Sequence, residues 1–259
     1  MDKEIIDRLG EENYNKFGSK MIITRYDKWN DIDIYFSEYD WTFRNARYDH
    51  FKTGTIKCPY ERRFFGIGYL GEGKYKMSKG KDNDIKCQRT WMDMLRRCYD
   101  ENSRYKNLSY KNCDVCEEWL NYQNFAEWYH NNIYFVGEEK IHLDKDILVK
   151  GNKIYSPQTC IFTPQKINDL FTKRDKIRGN LPIGVALEQH RFKTSYRASC
   201  TNGNRNQIYL GCLDTPHEAF LLYKLNKELV IQSIAKEYKN KIPNKLYEAL
   251  MNYKVEEND

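Results

Sequence analysis

Hydrophobic and polar positions alternate through the first sixty residues and then change period. The stretches "KMIITRYD", "DIDIYFSEYD", "WTFRNARYDHF" and "GTIKCPY" set β-branched and aromatic residues among polar ones between turns, which predicts a small β module over residues 1–60. The Gly- and Lys-rich "FFGIGYLGEGKYKMSKGKDND" reads as a loop or ribbon. Its glycines lack the following helix and the Lys-Ser/Thr pair of a phosphate loop, so no nucleotide site is read there. From Cys87 the period becomes helical. Trp91, Met94, Leu95 and Cys98 fall at i, i+3, i+4 and i+7, and Trp119, Tyr122, Phe125, Trp128 and Tyr129 repeat the pattern, so both aromatic stripes are expected to face a core.

The stretch "KIHLDKDILVKGNKIYSPQTCIFTPQKINDLF" predicts a strand, a "VKGN" turn, a returning strand and a helix with Pro164 near its first turn. Such a hairpin followed by a helix brings a carboxylate on the first strand, Asp144, towards a helical amide oxygen, Asn168. Two oxygen ligands with open positions left over suit a hard divalent cation. Side chains alternate along a strand, so His142 is expected on the same face as Asp144. Further on, "GNLPIGVALEQHRFKTSYRASCTNGNRNQIYLGCLDTPHEAFLLYKLNKELVI" predicts three strands and a helix. A turn falls at Gly203 and Asn204, and Thr215, Pro216 and Glu218 form a capping box at the helix start. The last stretch, "SIAKEYKNKIPNKLYEALMNY", reads as packing and solvated surface.

Charge narrows the choice of partner. Between Lys173 and Cys212 there are eight Lys/Arg against two acids, a surplus as large as the +6 of the whole chain. Basic residues also predominate from Lys57 to Lys111, whereas Asp114 to Asp146 is acidic. Two basic surfaces flanking an acidic pocket are expected where carboxylates must hold a metal beside nucleic-acid phosphates; solvated faces of a Lys-rich protein are the plainer reading. The 259 residues suffice for one large domain or two to three small ones. No run approaches the ~18 apolar residues of a membrane span, and "MDKEIIDRLG" lacks the regions of a signal peptide, so a cytoplasmic location is expected. The eight cysteines are irregularly spaced and are expected as reduced, mostly buried thiols. Cys113 and Cys116 have zinc-knuckle spacing, but no second pair lies at a matching distance, so a structural zinc is not expected.

The order "WMDMLRRCYD", "VCEEWLNYQNFAEW", then "LDKDIL…YSPQTCIF…PQKIN" resembles the HNH, or ββα-metal, nucleases, particularly the homing endonucleases carried by phages. The resemblance covers Cys87 to Lys173. It implies Mg2+, or Mn2+, on Asp144 and Asn168, double-stranded DNA as substrate, and the cytoplasm of a bacterial host. Thr159 falls where the family has an Asn that braces the loop. Lys145 stands where the family has the His that serves as general base, and an ammonium of ordinary pKa near ~10.4 is a poor base at neutral pH. His142, the one imidazole nearby in sequence, is the replacement candidate, as base or extra ligand; its other reading is a hydrogen-bonded structural residue. The alternative to a nuclease is an inactive HNH-derived regulator that binds DNA or a protein partner.

The C-terminal order "GV…YRA…LG…T..EA…Y" resembles the Apetala or ethylene-response-factor DNA-binding domain, whose three-stranded sheet lies in the major groove. Arg178, Arg191, Lys193, Tyr196, Arg197 and Arg205 are the DNA-binding candidates, although Tyr196 and Arg197 are adjacent and cannot share a face. The expected fold is α+β in three parts: a β module over 1–60, an HNH-like ββα-metal domain with a helical leader over 61–173, and a three-stranded sheet plus helix over 174–259.

Overall fold

The computed structural model describes residues 8–77, 82–102, 110–171, 179–190, 193–203, 206–257 and 259. The chain is a mixture of helix and strand and forms two compact units, residues 1–131 and 132–259.

The first unit opens with a four-stranded antiparallel sheet, in the order β1 (Glu12–Tyr14), β2 (Lys20–Lys28), β3 (Asp31–Phe36) and β4 (Trp41–Ala46). Strand alternation decides its faces: Ile32, Ile34 and Phe36 of "DIDIYF" are buried, while Asp31, Asp33 and Tyr35 keep contact with water. Met21 and Ile23 of β2 join them in a core closed by Phe51. The expected strand character of "YDHF" and "GTIKCPY" is corrected here. Tyr48–Lys52 is a short helix, α1, and the segment after it is irregular, although Ile56 and Cys58 still reach the core. Gly54 ends α1 at φ +63°, with the Tyr14 carbonyl oxygen 2.7 Å from where a Cβ would sit.

Next come α2 (Asp82–Tyr99), β5 (Asp114–Val115), α3 (Glu117–Leu120) and α4 (Tyr122–Asn132). The aromatic stripes are core, as their spacing predicts. Trp91 packs on Tyr122 with centroids 5.2 Å apart and donates its indole N–H to the Trp119 carbonyl at 2.7 Å, while Trp119 packs on Phe125 and Trp128. The helix breaks at Asn121, which is extended. There Tyr69 N donates to Leu120 O and Tyr122 N to Tyr69 O, both at 2.9 Å. Gln123 donates to the Leu70 and Tyr75 carbonyls. A Cβ on Gly71 or Gly73 would strike the side chain of Asn121 or Gln123. Gly68, Gly71 and Gly73 of "GIGYLGEG" therefore serve close approach within the unit, whereas Gly66 faces open space at φ +73°.

The second unit contains β6 (Ile141–Asp144), β7 (Ile154–Tyr155), β8 (Ile161–Pro164) and α5 (Gln165–Asp169), then β9 (Val185–His190), β10 (Lys193–Thr201), β11 (Gln207–Leu213), α6 (Pro216–Glu237) and α7 (Asn244–Met251). β6 and β8 pair antiparallel, with Asp144 opposite Ile161 and His142 opposite Thr163. The other sheet runs β11-β10-β9, all antiparallel. The predicted capping box holds: Thr215 and Glu218 each accept from the other's backbone N–H.

α6 serves two layers. Its first half packs Ala219, Phe220 and Tyr223 against Val185, Ala198 and Cys200 of the sheet. Its second half packs Ile231, Ile234 and Ala235, with Leu246 and Leu250 of α7, against Ile147, Ile161, Ile167 and Leu170. The strand-strand-helix segment thus shares a core with the C-terminal helices, and α6 runs unbroken into the stretch read as packing and surface. Pro243 then precedes α7 as its N-cap.

Candidate functional site

The β6–β8–α5 segment builds the candidate site. Gln165 N donates to Lys140 O at 2.8 Å, fixing the start of α5 at the start of β6, and the Tyr134 hydroxyl donates to Phe162 O at 2.7 Å. Thr163, fully buried, donates its hydroxyl to the His142 carbonyl at 3.2 Å. These bonds hold the hairpin and helix in one register.

Asp144 stands at the end of β6. Its Oδ1 accepts from the backbone N–H of Asp146 at 2.9 Å and of Ile147 at 2.8 Å, so the carboxylate caps the turn that follows. Burial, then the Asp146 charge, push its pKa up to about 6, against the pull of the two N–H groups and of the Lys145 ammonium. Asn168 lies on α5, half-buried, and its carboxamide makes no hydrogen bond among the described residues. Thr159 braces the loop: its hydroxyl donates to Ile154 O at 2.9 Å and bonds the Ser156 hydroxyl at 2.8 Å.

His142 is half-buried and its Nε2 bonds Gln165 Oε1, while Gln165 Nε2 donates to Asp169 Oδ1. An ionised Asp169 can only accept, so the Gln165 amide turns its NH2 towards Asp169 and its oxygen towards the imidazole. The imidazole therefore donates from Nε2, and its neutral form carries the free lone pair on Nδ1. Lys145 is buried, with its ammonium 3.1 Å from Asp146 Oδ2 and 5.9 Å from the Tyr155 ring centre. Position 145, where the HNH nucleases that the sequence resembles carry their base, is in this chain an inward-turned, paired cation.

Three site residues escaped the sequence reading. Gln165 and Asp169 are one helical turn apart, an i, i+4 pair visible once α5 is placed. Asp146 follows Asp144 by two and supplies the neighbouring negative charge.

The six DNA-binding candidates divide in three ways. Arg178, Arg191 and Arg205 lie outside the described residues. Lys193 and Arg197 are exposed on β10; Lys193 pairs with Asp214 at 2.7 Å and Arg197 approaches Glu188 at 3.5 Å. Tyr196 turns to the other face and packs against the core under α6. Cys212, opposite Arg197, donates its thiol to Glu188. The cysteines are free thiols, and all but Cys116 and Cys212 are buried.

The described residues contain no group of three or more His, Cys, Asp or Glu placed to hold a metal, so a cation here would depend on the mixed carboxylate and carboxamide pair. No helix among them is long and apolar enough to cross a membrane. Comparison with protein families, curated proteins and solved structures gives no match.

Proposed function

We propose that this chain is a metal-dependent DNA endonuclease of the ββα-metal kind, with the C-terminal sheet as its DNA-binding surface. The observation that carries the proposal is the strand-strand-helix unit with Asp144 at the strand end and an unengaged Asn168 carboxamide on the helix. The residues fit a hard cation. Asp144 offers Oδ2, which has no hydrogen bond among the described residues, and a divalent charge would offset the cost of a buried carboxylate beside Asp146. Mg2+ or Mn2+ held by Asp144 and Asn168 would supply electrostatic stabilisation of a scissile phosphodiester and its leaving oxygen.

The chain's own groups take the remaining roles. His142, oriented through Nε2 by Gln165 and Asp169, has Nδ1 to accept a proton from the attacking water. Lys145 acts structurally through Asp146. Exposed Lys193 and Arg197 serve phosphate contacts, which give affinity without reading sequence.

Plasmid nicking with and without Mg2+ or Mn2+, run beside a gel-shift series in salt, tests the reading. Metal-dependent nicking lost in both Asp144→Asn and Asn168→Ala is the expected result; nicking that survives either change rejects the site. The burial of Lys145 favours one second reading, an HNH-derived binding protein without hydrolysis. It predicts salt-sensitive DNA retention with no nicking under any divalent cation.

A further inference from the structure

A cavity of about 120 Å3 lies inside the second unit, with apolar walls from Ile147, Phe171, Ile231 and Val255. Charged groups converge on it. Lys150 donates to Asp259 and to the Lys254 carbonyl, both at 2.8 Å, and Asp146 accepts from Lys145. Lys153 is exposed to water. Lys227 differs from all of these. It is only 7% exposed, it lines the cavity, and it makes no hydrogen bond or ion pair among the described residues.

Burial of an ammonium without a partner is costly, and desolvation lowers the Lys227 pKa accordingly. Helix α6 could have placed an apolar residue here at no electrostatic cost, since Tyr223 and Ile231, four positions away on either side, are both buried. A buried cation with no hydrogen bond or ion pair among the described residues, at the wall of a cavity lined by both apolar and charged side chains, has the chemistry of a binding pocket: polar groups fix orientation and the apolar walls exclude water. Lys150 and Asp259 already satisfy one another, so the charge left to be met is that of Lys227 alone.

We infer that this cavity is a binding site for a small organic monoanion, a carboxylate on a short apolar body, with Lys227 as the cation that pairs with it. The volume admits a few heavy atoms beside the ammonium, which favours a short acid over a nucleotide. The inference stands independently of the nuclease reading, because it uses neither Asp144 nor Asn168.

The test is isothermal titration and thermal unfolding of the full chain with sodium butyrate, with butyramide and with sodium chloride at matched ionic strength. Butyrate should bind saturably at one site and raise Tm, because a ligand of the folded state stabilises it by mass action. Butyramide has the same shape without the charge and should bind at least tenfold more weakly. Lys227→Met keeps the length of the side chain, removes the unpaired charge and should abolish the butyrate response; Lys227→Gln is the second variant. Equal responses to acid and amide, a response retained in either variant, or no saturable binding would overturn the inference. Should both variants fail to fold, the difference between butyrate and butyramide in the parent protein decides alone.

Discussion

In the strand-strand-helix segment, Asp144, Lys145, Gln165 and Asp169 are at least partly buried and each is bonded to a neighbour. On the outer face of the three-stranded sheet, Lys193 and Arg197 stand in solvent opposite Asp214 and Glu188. The first arrangement fixes atoms to within the tolerance of a hydrogen bond. The second fixes only a charge distribution, which salt screens and which the two acids partly cancel. A site that must place a ligand atom is therefore sensitive to single-atom changes. A surface that attracts a polyanion responds gradually to each charge.

The largest effect expected from that contrast comes from one atom of Asp144. Asp144→Asn keeps an oxygen to accept from Asp146 and Ile147 N–H and relieves the repulsion with Asp146, so the fold should be as stable as the parent or more so. Cleavage should nonetheless fall by roughly 10² fold or more, because a neutral amide is a far weaker ligand for a hard cation than a carboxylate. Nicking rates and thermal unfolding on the same preparations check both halves. A variant that is unstable as well as inactive would show Asp144 to be a cap and nothing more.

Lys145 gives the next largest effect, and it is on stability. Lys145→Ala removes a buried four-carbon stem and one partner of Asp146, and about 2 kcal/mol should be lost, since the Asp146 end of the pair is open to water and screened. Urea unfolding measures it. Lys145→His should not raise cleavage, because this position turns inward; an increase would mean that the turn rearranges when DNA binds.

The periodic parts of this architecture were legible in the chain. Alternation in "DIDIYF", the 3.6-residue stripes through Trp91 and Trp119, and the Thr215 capping box each state a local preference that packing agrees with. The misread parts depend on partners distant in sequence. "YDHF" has strand composition, yet Gly54 beside Tyr14 turns it into a helix end, and Asn121 breaks a helical run because Tyr69 pairs with the backbone there. The site follows the same rule. Period two placed His142 and Asp144 on one strand face, but only the register of β6 with β8 and α5 showed that Gln165 and Asp169 orient the imidazole. Likewise, no local signal marked that α6 would serve both the sheet and the β6–β8–α5 core.

A smaller effect separates the two regions by pH. The folded-state pKa of Asp144, about 6, lies above the ordinary carboxylate value near ~3.9, so the native state binds the extra proton between them. Stability contributed through this group is therefore present at low pH and declines as pH rises from about 4 to about 6, then levels off. The difference in unfolding free energy between the parent and Asp144→Asn should trace that decline, and Mg2+ should shrink it by favouring the ionised form. Charge reversals on β10 should leave the difference curve unchanged.

The smallest effect belongs to the sheet, where a single acid can be removed. Glu188→Gln frees Arg197 from its facing carboxylate and leaves Cys212 an acceptor, so DNA affinity should rise by only a few fold while the salt dependence steepens by up to one unit of log-log slope. Arg197→Ala should move both quantities the opposite way. Tyr196→Phe should move neither, because that ring lies under α6 and not towards solvent. Gel shifts at several salt concentrations read all three. If Tyr196→Phe weakens binding as much as Arg197→Ala while unfolding is unaltered, then the outer face of β10 is not the surface that meets DNA. The graded response would then have to come from basic residues elsewhere in the chain.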